Sequence, residues 1–179
     1  MKIPKMLSII TICGIAILMS TGCGDTTDGA SMTSNELTEQ SAREVLQGYL
    51  QETLSVLPAG TTLKEYNVSP SLDCDDNAVS QDGPKFASYV TVAEGMPAGQ
   101  EVRFVDTVVD HWRELGWTLR TDYRERYPDE PFVSADIPDG YGVSVTVSRN
   151  VGLQVKGSTP CFAAATELDH VSPVTIRQR

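Results

Sequence analysis

Alternation of apolar and polar residues in the C-terminal half is the feature that most limits how this chain folds. From Tyr141 to Val147 every second residue is apolar, and glycine, serine or threonine fills the positions between them. The alternation resumes at Val151, Leu153 and Val155, after an Arg149–Asn150 pair that we interpret as a hairpin turn. Each of these strands therefore has one buried and one solvated face. That pattern is typical of an antiparallel sheet, because buried parallel strands carry continuous apolar runs.

Four more segments are predicted strands, because they alternate or are rich in β-branched and aromatic residues. They are 62–68, 86–94, 117–123 and 132–137. A loop over 69–84, which contains Cys74, separates the first two.

A helical pattern precedes these strands. Its apolar positions recur at steps of three and four residues: Ala42, Val45, Leu46, Tyr49, Leu50, Leu54 and Leu57. Ser41 and Glu44 form an S-x-x-E sequence typical of a capping box, and Pro58 with Gly60 ends the run.

A second helix follows Pro97 and Gly99, and Gly116 is placed to cap its C-terminus. Its apolar face comprises Phe104, Val105, Val108, Val109, Trp112 and Leu115. Both helices are amphipathic and need a surface to cover. The predicted fold is α+β, in the order α-β-β-α-β-β-β-β, with two helices packed on one face of a mainly antiparallel sheet of five to six strands.

The N-terminus has the layout of a bacterial lipoprotein signal. Lys2 and Lys5 precede an apolar run over 9–19, and small residues lead to Cys23. The run is shorter than the about 20 residues that a membrane span requires. We predict that Cys23 is lipidated and becomes the new N-terminus, although Ser20 stands where a lipobox usually has an aliphatic residue.

Four regions follow from this prediction. Residues 1–22 form the signal peptide, 23–36 a flexible polar tether, 37–162 a single α+β domain, and 163–179 a poorly ordered tail. Lipid anchoring predicts a location on the extracytoplasmic face of the cell membrane.

The charge of the chain argues against nucleic acid as a partner. The full chain has a formal charge of −10, and loss of the two signal lysines leaves 12 Lys+Arg against 24 Asp+Glu, or −12. Such a surface repels phosphate backbones and anionic lipid headgroups, so membrane contact has to come from the lipid.

Cys74 and Cys161 are the cysteines that remain after Cys13 leaves with the signal and Cys23 is lipidated. In an exported domain two cysteines most simply form a disulfide. The alternative, a redox or nucleophilic thiol, has neither a C-x-x-C sequence nor a neighbouring histidine to support it.

Other candidate groups have simpler structural explanations. An acidic stretch beginning at Asp73 starts like a calcium loop, but Ala78 replaces the required glycine and Pro84 the bidentate glutamate. Its acidic and amide residues are Asp73, Asp75, Asp76 and Asn77. His111 and His170 lack metal-ligand spacing, and we expect His111 near a helix C-terminus. No catalytic, metal-binding or cofactor-binding residues are assigned.

Aromatic and arginine clusters are candidate contact surfaces. A stacking platform for sugars would use Trp112, Trp117, Tyr123, Tyr127 and Tyr141, but their spacing favours core and edge positions. The three arginines between Arg120 and Arg126 are interspersed with acids, which favours a solvated strand face.

Several of these segments together resemble small actinobacterial envelope lipoproteins of the LppA type. They are Cys23, Leu57–Gly60, Cys74–Asn77, the Trp112–Trp117 helix end and Thr159–Cys161. The resemblance implies the disulfide and the helix-on-sheet fold, and it brings no catalytic residues.

The leading functional hypothesis is a non-enzymatic binding domain for an envelope protein or other envelope component, with no cofactor. A carrier of a small apolar ligand held between helices and sheet is the first alternative. An envelope hydrolase built on His111 or the acidic loop is the second.

Overall fold

Two α-helices, one short 3-10 helix (Pro138–Gly140) and nine strands lie in the part of the chain that the computed structural model describes, residues 37–67, 71–74, 83–163 and 174–178. The helices are α1 (Glu39–Ser55) and α2 (Glu101–Glu114). The strands are β1 (Thr62–Asn67), β2 (Leu72–Asp73), β3 (Lys85–Phe86), β4 (Ser88–Glu94), β5 (Thr118–Asp122), β6 (Phe132–Asp136), β7 (Gly142–Ser148), β8 (Gly152–Ser158) and β9 (Thr175–Arg177).

Seven strands form one sheet in the order β5-β6-β7-β8-β4-β1-β9, and β2 pairs with β3 in a separate ladder. Each pairing between these strands is antiparallel. Both helices pack against the main sheet, which confirms the predicted α+β class. The sheet has one strand more than the predicted five to six, and the additional strand is β9.

The ends of the helices follow local capping chemistry. Helix α1 begins one turn earlier than predicted, because Thr38 is its N-cap: Thr38 Oγ1 accepts from the Ser41 N–H, and Ser41 Oγ accepts from the Thr38 N–H. The capping box is therefore Thr38–Ser41, and the predicted Ser41–Glu44 box is wrong. Helix α2 ends as predicted, with Gly116 at φ 77° and its N–H donating to the Arg113 carbonyl.

The core lies between the helices and one face of the sheet. Alternate residues of β7 and β8, such as Val145 and Val155, are fully buried against the helices. Gly157 lets α1 approach β8 closely, since a Cβ at that position would lie 2.7 Å from Leu46 Cδ1. The two helices are joined by a buried hydrogen bond of 3.0 Å from Trp112 Nε1 to Thr53 Oγ1.

The C-terminal segment contributes to the domain. Strand β9 pairs with β1, and Ile176 is buried in the main core. This corrects the predicted domain boundary at residue 162, since part of the predicted tail over 163–179 is an edge strand.

The predicted signal over 1–22, Cys23 and the tether over 23–36 lie outside the described residues. Within the described residues, neither helix is long and apolar enough to cross a membrane.

Candidate binding site on the open face of the sheet

The face of the main sheet opposite the helices is the candidate site. Along β6, β7 and β8 every second residue is buried beneath the helices, and the residues between them are only half-buried. Both helices cover the same face, so the opposite face, here called the open face, carries neither of them.

A cleft of about 470 Å³ lies on the open face across β4, β5, β6, β7 and β8. Strand register places Ser134, Ser144, Lys156 and Val90 side by side in its central row. Serine and threonine hydroxyls lie in this row and beside it: Ser88, Thr121, Ser134, Ser144 and Ser158. Hydroxyls both donate and accept hydrogen bonds, so the cleft can hold a polar ligand.

Gly142 contributes to the depth of the cleft. It lies opposite Ser158 on β8 and Asp136 on β6. A Cβ at this position would be 3.0 Å from Ser158 Oγ, so a larger residue would crowd the floor.

Two cations line the cleft. A bulge in β5 between Leu119 and Thr121 inserts Arg120, whose guanidinium forms an ion pair with Asp136. Hydrogen bonding to Asp136 raises the pKa of Arg120. Lys156 is half-buried and has no ion pair with any described residue. The lysine charge is therefore available to a ligand.

One end of the cleft is aromatic. Phe132 lines it, and the Phe132 ring centroid lies 6.2 Å from that of Tyr123. Tyr127 meets Tyr123 edge to face at 6.1 Å, and the Arg126 guanidinium lies 5.3 Å from the Tyr127 ring centroid. Tyr123 and Tyr127 are 43% and 48% exposed, which leaves ring surface for contact.

The open face carries a charge opposite to that of the whole chain. The charged residues that register places on it are Lys64, Glu94, Arg120, Asp136, Lys156 and Arg177. Four are basic and two acidic, a balance of +2 in a chain of −10. Lys64 pairs with Glu94 at 3.5 Å, so the excess positive charge belongs to Lys156 and Arg177.

No protein-family model, curated protein or solved structure matches the chain.

The predicted disulfide is present. Cys74 and Cys161 are bonded across a sequence separation of 87 residues, with their Cα atoms 6.2 Å apart. The bond joins the end of β2 to the segment after β8. In the same region, Lys85 of β3 forms an isolated antiparallel β-bridge with Phe162.

The acidic loop is only partly described. Asp73 forms an ion pair with Lys85, while Asp75, Asp76 and Asn77 lie outside the described residues. Among the residues that are described, no group of three His, Cys, Asp or Glu side chains is arranged to hold a metal ion.

His111 lies in the last turn of α2, as predicted, on the helix side of the sheet. Its Nε2 is 4.0 Å from Glu52 Oε2 on α1, and its Nδ1 is 4.0 Å from Glu114 Oε2. Nε2 is buried without a hydrogen bond. Glu52 also lines a second cleft, of about 420 Å³, at the C-terminal end of α1. His170 lies outside the described residues.

His111 and Asp73 are far apart. Ser71, beside β2, contacts Arg43 near the start of α1, whereas His111 faces Glu52. The nine-residue separation between Arg43 and Glu52 corresponds to about 14 Å of helical rise. The structure does not bring these two candidate groups into one site.

The aromatic residues considered as a platform divide into two sets. Trp112, Trp117 and Tyr141 are core residues, with at most 7% of their surface exposed. Tyr123 and Tyr127 are exposed beside the cleft. The prediction of core and edge positions is therefore confirmed, and the edge pair is the one that a ligand can reach.

The arginines between 120 and 126 do not form one surface. Arg120 faces the cleft, while Arg124 reaches back to Asp106 on α2 at 2.7 Å and to Asp122 at 2.6 Å. The hydrogen bonds from Arg124 hold the pKa of Asp122 below its usual range. The β5 bulge and the turn that follows β5 send the side chains in different directions.

Proposed function

We propose that this protein is a lipid-anchored, non-enzymatic binding domain on the extracytoplasmic face of the cell membrane. Its N-terminal Cys23 carries the lipid, and the open face of the sheet contacts an envelope component. The observation that carries the proposal is the sheet face that neither helix covers, with its polar, cationic and aromatic cleft.

The composition of the cleft favours binding over catalysis. Its ionisable lining residues among those described are Tyr89, Arg120 and Lys156. The Tyr89 side chain points to the helix side, where its hydroxyl accepts a hydrogen bond of 3.1 Å from Gln47 Nε2. Arginine and lysine are ordinarily protonated at neutral pH and serve to bind acids rather than to accept protons.

The carrier alternative receives less support from the packing. Trp112, Leu46 and Leu50 are fully buried between helices and sheet, so side chains occupy the space where an apolar ligand would lie. The open face offers a contact surface without any rearrangement of that core.

The anchor is tested by Cys23→Ala in the native host. We expect the variant to lose metabolic labelling by a fatty acid analogue and to leave the membrane fraction, because the thioether would have no sulfur to form on. Cys13→Ala is the matched control and should keep both properties. Continued labelling of the Cys23 variant would refute the anchor.

The contact surface is tested by photo-crosslinking in native membranes. A photoreactive residue at Ser144 in the cleft is compared with one at Val102, which is 40% exposed on α2. We expect a discrete adduct from position 144 that weakens when Lys156→Met is added. Adducts from position 102 alone would contradict the assignment of the open face.

A further inference from the structure

We infer that the open-face cleft binds an acidic saccharide, with sugar rings on the aromatic end and a carboxylate at Lys156. The inference rests on the proposed function and names the ligand class of the same site. Three features carry it: an exposed aromatic cluster, a row of hydroxyl side chains and a lysine that has no ion pair with any described residue.

The aromatic end suits the apolar face of a sugar ring. Phe132, Tyr123 and Tyr127 form a continuous cluster through two ring contacts of 6.2 Å and 6.1 Å. Exposed aromatic rings combine large apolar area with little conformational entropy to lose on binding. In Tyr123 and Tyr127 the phenol oxygens add polar atoms at the edge of the cluster.

The middle of the cleft, between its aromatic end and Lys156, suits hydroxyl-rich ligands. Ser134 and Ser144 lie between Phe132 and Lys156, where the sheet presents no large side chain. Two interstrand spacings and one two-residue step separate the Cα atoms of Phe132 and Lys156 by about 12 Å. This span exceeds one sugar ring, so a short oligosaccharide fits better than a monosaccharide.

The positive charge of Lys156 favours an acidic ligand. Arg120 already pairs with Asp136, whereas Lys156 has no carboxylate partner among the described residues. Placing a ligand carboxylate beside Lys156 would pair this charge within a half-buried cleft, where an ion pair is less screened than at the surface. A chain of −10 overall then binds an acid through its locally positive open face.

The test is calorimetric titration of the full chain in neutral detergent with tetragalacturonic acid and with its methyl ester. The two probes share the rings and differ in charge. We expect Lys156→Met to weaken binding of the acid about tenfold and to leave binding of the ester unchanged. Tyr123→Ala should weaken both probes equally. Arg103→Met, at an exposed position of α2 on the helix side, is the control and should weaken neither.

Other outcomes overturn the inference. Absence of saturable binding of the acid, equal affinity of the wild type for acid and ester, or unchanged acid binding by Lys156→Met would each contradict it. Binding of tetraglutamate without binding of the saccharide would assign an acidic peptide instead, and the open face would remain the contact surface. Failure of both probes together with absence of crosslinks from position 144 would reject the proposed function itself.

Discussion

At the scale of single residues, two glycines near α1 differ in what their missing side chain does. Gly157 makes room for Leu46, whereas Gly48 lies on the exposed side of α1 with nothing within 4 Å of an added Cβ. Gly157 is therefore required for packing, and Gly48 only increases the entropy of the unfolded chain.

Alanine at these two positions should change stability in opposite directions. We expect Gly157→Ala to lower the free energy of unfolding by about 1–3 kcal/mol, because Leu46 and Leu50 have to move. Gly48→Ala should raise it by about 0.5–1 kcal/mol through helix propensity. Urea unfolding measures both. Equal effects of the two substitutions would contradict the close approach of α1 to β8.

Glu65 is a buried carboxyl with an incomplete hydrogen-bond shell. It is 8% exposed; its Oε2 accepts from the Val174 N–H at 2.9 Å, and its Oε1 has no partner. Burial raises the pKa of Glu65, against the opposing effects of the Val174 hydrogen bond and the Arg43 charge.

The raised pKa fixes the sign of a pH effect. The folded chain holds the Glu65 proton more tightly than the unfolded chain. Protonated Glu65 therefore contributes its full stabilisation below the unfolded pKa of about 4.3. This stabilisation is lost as the pH rises through the pKa of Glu65 in the folded chain. We expect Glu65→Gln to be more stable than the wild type at pH 7, with a gain that shrinks as the pH approaches 4. Urea midpoints at both values measure it, with exposed Glu114→Gln as the control. A gain that grows toward pH 4 would contradict the assignment.

At the scale of elements, the residue that follows the last strand forms hydrogen bonds to the end of the first helix. Gln178 Nε2 donates to the carbonyls of Leu54 and Leu57 at 3.1 Å and 2.8 Å, and Gln178 Oε1 accepts from the Gly60 N–H at 2.9 Å. One side chain after β9 therefore adds hydrogen bonds to the last turn of α1 and to the loop that follows it.

Removal of the Gln178 side chain should destabilise the domain. We expect Gln178→Ala to lower the free energy of unfolding by about 1–3 kcal/mol, because two part-buried hydrogen bonds to the Leu54 and Leu57 carbonyls and one exposed bond from the Gly60 N–H are lost. Arg177→Ala changes the exposed neighbouring residue and should stay within about 0.5 kcal/mol of the wild type. Urea unfolding of the pair gives the comparison. Identical stability of both variants would show that the Gln178 hydrogen bonds contribute nothing to the free energy of unfolding.

The elements that the sequence predicted are those with long local patterns. The alternation from Tyr141 to Val147 and the glycine cap at Gly116 depend on neighbours in sequence, and both are found in the structure. Strand β9 has three residues, too few for periodicity, and it exists through pairing with Thr62, Leu63 and Lys64 over a hundred residues earlier. A pattern search has no means to detect such pairing.

At the scale of the whole molecule, the disulfide connects segments that the sheet does not join directly. Closing the loop between Cys74 and Cys161 removes about 4.5 kcal/mol of chain entropy from the unfolded state in the loop-closure account. We expect Cys74→Ser with Cys161→Ser to lower the melting temperature by several degrees, measured by calorimetry. Unchanged melting, together with free thiols at both positions in the wild type, would contradict the bond.

The candidate site was predictable only in its parts. The polar face of β7 is evident in the sequence from Ser144 and its alternating neighbours, but the arginines and tyrosines occur there as separate groups. Lys156 gave no signal in the sequence, because its isolation from carboxylates depends on which strands lie beside β8. The bulge that turns Arg120 toward the cleft is equally a property of strand pairing.

The central claim is that the open face is covered in the native envelope while the helices are not. The most direct measurement is hydroxyl-radical footprinting of the full chain in its own membranes and after purification in detergent. We predict that Tyr123, Tyr127 and Phe132 are oxidised severalfold less in the membranes, with equal oxidation of Val102 and Leu115 on the helix side. Equal oxidation of the aromatic cluster in both samples, or protection confined to the helices, would contradict the claim.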